Sequence, residues 1–133
     1  TLSDAANSPR FVCPVKYKYI SRFATENSHR GDDLCAAEGT EIYAAADGVV
    51  LAAQEHYSWG NFVEIDHGTD ADGLRWVTLY AHMNSAPIVS VGDSVSKGQR
   101  LGYVGSTGNS TGNHLHLEMK VNNVLVNVMN YLS

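Results

Sequence analysis

Five histidines and acidic residues carry the chemical content of this chain, grouped by spacing. His114 and His116 stand two apart, so an extended strand points both imidazoles to one side. His29, Gly31 and Asp33 read H-x-G-x-D; in extended backbone His29 and Asp33 also share a face, and Gly31 between them leaves room for a close approach. Imidazole nitrogen and carboxylate oxygen are the donors zinc takes, usually as three protein ligands plus water when the site is catalytic. Two His and one Asp make an open site of that kind. His82 and the second member of the H-x-H pair are then left over as histidines near a bound water.

Neither motif is specific alone, since an isolated H-x-H or H-x-G-x-D arises often by chance. His56, beside Gln54 and Glu55, reads as a surface loop residue. His67 shares a strand face with Val63 and Ile65 and reads as a hydrogen-bonded core or strand-end histidine. Glu118, two residues beyond His116, suits a carboxylate that orients a ligand from behind. The order H-x-G-x-D, then Tyr80–Ala81–His82, then H-x-H is what carries specificity.

The elements that must position these groups are short and β-rich. Twelve glycines punctuate apolar runs, and helical periodicity is nearly absent. That pattern predicts an all-β fold, a small antiparallel sandwich or partly open barrel with long loops flanking a groove. Candidate strands are Phe11–Val15, Tyr19–Phe23, Gly48–Gln54, Asn61–His67, Leu74–Met83, Arg100–Val104 and His114–Val121; Ser106–Asn113 is a loop, and Val126–Leu132 a short helical turn. Period two divides the strand around Trp76 into Val77, Leu79, Ala81 and Met83, expected in the core, and Trp76, Thr78, Tyr80 and His82, expected in a cleft. The later strand divides into apolar Leu115, Leu117, Met119 and Val121, and polar His114, His116, Glu118 and Lys120.

The chain has 133 residues, enough for one domain spanning its whole length. No apolar run approaches the ~20 residues of a membrane-spanning helix. The chain does not begin with Met, so the lack of a leader-like start says little about where the parent protein resides. A net charge of −5 without any Lys/Arg cluster excludes a nucleic-acid binder, which needs a basic face. Cys13 and Cys35 can pair in one way only. They are expected to lie close enough to bridge, which would stabilise by about 3 kcal/mol in the chain-entropy model; two buried thiols are the alternative.

The motifs together resemble the M23 metallopeptidases, the lysostaphin/LytM type of peptidoglycan endopeptidase. They stand here as His29–Arg30–Gly31–Asp32–Asp33, Gly39–Thr40 through Ala44 to Gly48, Tyr80–Ala81–His82, and His114–Leu115–His116–Leu117–Glu118, with Val91–Gln99 similar to the family's hairpin. The likeness runs from about Pro14 to Leu132. It departs at Phe23–Ala24, Asn113 and Val128, none of them a ligand position. The resemblance implies that His29, Asp33 and His116 bind Zn2+ and that His82 and His114 are catalytic, acting on a peptidoglycan peptide outside the cell or in its wall. Tyr80, on the face assigned to His82, is a further candidate donor in catalysis. No membrane insertion and no nucleic-acid partner are implied; a monomer within a larger multidomain protein is. Two other readings compete. One is a non-catalytic module of the same shape that binds wall peptide or activates a hydrolase. The other is a biotinyl or lipoyl carrier, suggested by Glu118–Met119–Lys120 and the Val91–Gln99 turns, but that leaves H-x-G-x-D unexplained.

Overall fold

The computed structural model describes residues 11–22, 31–108, 110 and 112–132, with Arg22 described by its backbone alone. Among these the architecture is antiparallel β throughout. The strands are β1 (Tyr19–Arg22), β2 (Asp32–Cys35), β3 (Glu41–Tyr43), β4 (Gly48–His56), β5 (Gly60–Thr69), β6 (Arg75–Met83), β7 (Ser94–Val95), β8 (Arg100–Tyr103), β9 (His114–Val121) and β10 (Val124–Val126). Seven lie side by side in the order β1-β2-β9-β6-β5-β4-β7, β10 pairs the remaining edge of β9, and β3 and β8 form a separate two-stranded ladder. The expected all-β class is what the chain adopts. No described helix is long and apolar enough to cross a membrane.

Alternation builds the core on one face of the large sheet. Leu115, Leu117, Met119 and Val121 of β9 are buried there, with Val63 and Ile65 of β5 and Ile42, Leu101 and Val104 from the small ladder and its flank. A second, smaller apolar cluster, Phe62, Leu79 and Ala81 with Ala52 and Trp59 packed against it, lies apart from that core. The short strands β2, β3, β7 and β10 were not expected. Two to four residues carry too little periodicity to register, and their pairing is supplied by long neighbours. The β9–β10 hairpin turns through Asn122 and Asn123 at φ 50° and 67°, the double left-handed turn that matches strand twist and that Asn tolerates. Phe11–Val15 forms only isolated bridges, Phe11 to Leu132 and Val15 to Ile42. The expected terminal turn is present as a 3-10 helix, Val128–Asn130, capped by the Asn127 side chain.

Two expectations need correction. Both cysteines are free thiols, half-buried. Cys13 Sγ donates to the Val15 carbonyl at 3.2 Å, and its burial raises the thiol pKa. Over residues 76–81 the faces of β6 are also the reverse of those expected. Trp76 and Tyr80 are fully buried in the main core with Met83, whereas Leu79 and Ala81 belong to the smaller cluster. Tyr80 is therefore not brought to the histidines. Its hydroxyl bonds the Thr78 hydroxyl at 2.7 Å and accepts from Ala45 N–H at 3.0 Å, and burial pushes its pKa up to about 12.

Candidate active site

The centre of the site is a cross-strand pair. β2 and β6 flank β9, and the register sets Asp33 opposite His116 on one side and Ala81 opposite His116 on the other. Residues directly opposite in an antiparallel pair present their side chains to the same face. Asp33 and His116 thereby meet: His116 Nδ1 donates to Asp33 Oδ1 at 2.8 Å. The other ring nitrogen, Nε2, donates to Glu118 Oε2 at 2.8 Å. Gly31 makes this approach possible. A Cβ there would fall 2.2 Å from the Leu117 carbonyl oxygen and 2.9 Å from Glu118 Cγ. The room that Gly31 leaves is filled by β9 itself.

His82 reaches the same face through a bulge. Asn61 pairs with Met83 and Val63 with Tyr80, so between these pairs one residue of β5, Phe62, opposes two of β6, Ala81 and His82. The extra residue falls where His82 takes φ 64°, a conformation rare for any residue but Gly. The bulge breaks the period-two rule: Tyr80 stays in the core, while the His82 ring comes to 4.9 Å from that of His114 and 5.9 Å from that of His116. The structure brings His82, His114 and His116 together beside Asp33. His29 lies outside the described residues.

Hydrogen bonding assigns the protons. A carbonyl oxygen only accepts, so His82 Nδ1, 2.7 Å from Thr107 O, carries a proton. The same holds for His114 Nδ1, 2.8 Å from Gly112 O. In the neutral form each ring therefore has an unprotonated Nε2. His114 Nε2 faces Asp33, 3.6 Å from Oδ1. Burial, against the pull of the Thr107 carbonyl, lowers the pKa of His82, and the neighbouring His114 and His116 lower it further. His116 behaves oppositely. Burial opposes its charge, but the bonds to Asp33 and Glu118 overcome that and raise its pKa to about 9.

Both nitrogens of His116 thus donate to carboxylates, and the position attracts positive charge. That is the donor chemistry a divalent cation requires: an imidazole nitrogen and a carboxylate oxygen facing one another, with a second carboxylate orienting the ring from behind. Among the described residues no three His, Cys, Asp or Glu side chains form a complete metal-binding set.

The profile of peptidase family M23 matches residues 27–128. The chain belongs to this family. Over 101 residues it is 41% identical to the peptidoglycan DD-endopeptidase ShyA of Vibrio cholerae, covering 76% of the chain and 22% of ShyA. It superposes on a zinc containing peptidase from Vibrio cholerae with a TM-score of 0.76 at 29% identity, covering 92% of the chain and 40% of that structure. The catalytic domain of lysostaphin from Staphylococcus simulans matches with a TM-score of 0.67 at 28% identity, covering 95% and 92%. The chain spans about a quarter of the length of the relatives it matches by sequence.

Within this M23 domain, two groups at the site had no sequence signal: the carbonyls of Thr107 and Gly112, which fix the histidine tautomers. Both lie in the stretch read only as a loop, and backbone acceptors leave no mark on residue type. Lys120, which a carrier domain would need at an exposed turn, sits inside β9 opposite Val77 and Leu125.

Proposed function

We propose that this M23 domain is a zinc-dependent endopeptidase that hydrolyses peptide bonds in bacterial peptidoglycan, in a stem peptide or a cross-bridge. The observation that carries the reading is the meeting of Asp33 and His116 across β2 and β9, with His82 and His114 on the same face. The peptidoglycan DD-endopeptidase activity in the name of ShyA supports the substrate class. His29, Asp33 and His116 would hold the zinc, which when bound supplies Lewis-acid polarisation and a more acidic water.

The chain's own residues handle the proton. His82 and His114 each hold a proton at Nδ1 and leave Nε2 basic. One Nε2 accepts the proton of the attacking water, and a protonated imidazole then returns a proton to the departing amine nitrogen. Glu118 keeps the His116 ring from rotating. Tyr80 has no part in this, because it lies on the other side of the sheet. A net charge of −5 gives no long-range attraction to an anionic wall. Targeting then falls to other parts of a larger, wall-associated or secreted protein, which fits the partial coverage of the relatives.

The test is digestion of purified peptidoglycans of differing cross-bridge chemistry by the zinc-loaded domain, with mass analysis of the fragments. Cleavage of one class of peptide bond is expected. In His82→Ala and His114→Ala, hydrolysis should fall ~10²–10⁴-fold while zinc content and fold persist. Intact peptidoglycan after prolonged incubation with a zinc-loaded, folded protein would instead identify a binding or activating module.

A further inference from the structure

His82 is held in a conformation it does not prefer. Its φ of 64° costs on the order of 1–3 kcal/mol unless neighbours impose it. Two hydrogen bonds impose it here. The His82 backbone N–H donates to the Trp59 carbonyl at 2.8 Å, and Nδ1–H donates to the Thr107 carbonyl at 2.7 Å. Trp59 stands in the turn between β4 and β5, and Thr107 in the loop that follows β8.

These two segments touch through their backbones. A Cβ on Gly60 would lie 2.3 Å from Thr107 Oγ1, and one on Gly108 would lie 2.2 Å from Gly60 N. The Thr107 hydroxyl is engaged on both sides. It donates to the Met83 carbonyl, one residue beyond His82, and accepts from Asn61 N–H at 3.1 Å. The side chain is therefore a peg driven between β5 and the end of β6, and the carbonyl of the same residue is the acceptor for His82.

We propose that Thr107 is a positioning residue for the reaction. Its hydroxyl pins the loop so that its carbonyl holds His82 in the Nδ1–H tautomer, leaving Nε2 for proton transfer. The proposal rests on the acid–base role assigned to His82 above. An unanchored neutral imidazole favours the proton on Nε2. Releasing the carbonyl therefore misplaces the ring and also occupies the nitrogen that has to accept.

The test compares Thr107→Val, which is near-isosteric but has no hydroxyl, with Thr107→Ser, which keeps one, in zinc-loaded protein. In Thr107→Val, kcat should fall ~10–10²-fold, the scale of a catalytic group displaced by about an ångström, with KM and zinc content unchanged. Nitrogen-15 spectra of His82 should change from the Nδ1–H pattern towards Nε2–H. Thr107→Ser should restore both. If Thr107→Val does not fold, Thr107→Ala removes the same hydroxyl without placing a methyl against Asn61 N–H. An unchanged His82 tautomer in the hydroxyl-free variant overturns the proposal, even if activity and stability fall together. Near-normal turnover in His82→Ala would defeat the acid–base reading on its own, and the nitrogen spectra would still report whether Thr107 holds the ring.

Discussion

His116 sits between two carboxylates, and each has a different task in the proposed metal site. Asp33 would share the cation; Glu118, on the far nitrogen, would only orient the ring and raise its basicity. Glu118→Gln should therefore weaken zinc binding by ~10–10²-fold while leaving the ligand set complete. His116→Ala should lose most of the metal, because a donor is gone. Chelator competition followed by metal analysis gives both numbers, and a Glu118→Gln domain that holds zinc as tightly as the parent would contradict this division of roles. Much of this was legible. H-x-H and H-x-G-x-D expose donor atoms by residue type, and a position two beyond His116 on a strand has to share its face. Tyr80 was misread because residue type says nothing about which side of a sheet is covered. A phenol is at home in a core when Thr78 and Ala45 satisfy its oxygen.

At the scale of elements, the site depends on how closely β2 runs to β9 and on the bulge in β6. Gly31 sets the first. Gly31→Ala would push a methyl into the Leu117 carbonyl, which is backbone and cannot rotate away. The strands would have to separate, drawing Asp33 off His116. We expect a lowered urea midpoint, worth about 3 kcal/mol, together with weaker zinc binding. Full zinc affinity in a destabilised Gly31→Ala protein would show that Asp33 is placed by something other than this approach. The motif announced the glycine but not what it admits. The bulge was not legible at all. A positive φ at His82 comes from contacts with Trp59 and Thr107, distant in sequence, whereas strand periodicity assumes one unbroken register.

For the whole molecule, the core face of β9 was legible because four alternate apolar residues admit one burial pattern. The small strands, and whether the two thiols bridge, depend on tertiary pairing that no local pattern encodes. The same core contains a polar chain with consequences for stability. His67 Nδ1 lies 2.8 Å from the Asp47 carbonyl, so it donates; Nε2 lies 2.7 Å from Thr78 Oγ1. Thr78 Oγ1 also bonds the Tyr80 hydroxyl, whose oxygen accepts from Ala45 N–H, so the ring ends a buried polar chain. A second proton on His67 would put a charge on the ring at the end of this buried chain. Burial lowers the His67 pKa below 6.5, against the weaker pull of Asp47 and Asp66. The unfolded chain takes up this proton near pH 6.5 and the folded one does not. Stability from this group is complete above that pH and declines as pH falls through it, towards the folded pKa, with a slope of up to about 1.4 kcal/mol per pH unit. In His67→Gln, urea unfolding at matched zinc should show a lower stability at pH 8 and a shallower decline between pH 7 and pH 5. Subtracting one protein's curve from the other removes the titrations they share. Two parallel curves would mean that His67 takes up its proton alike in both states and that the polar chain does not depend on a neutral ring.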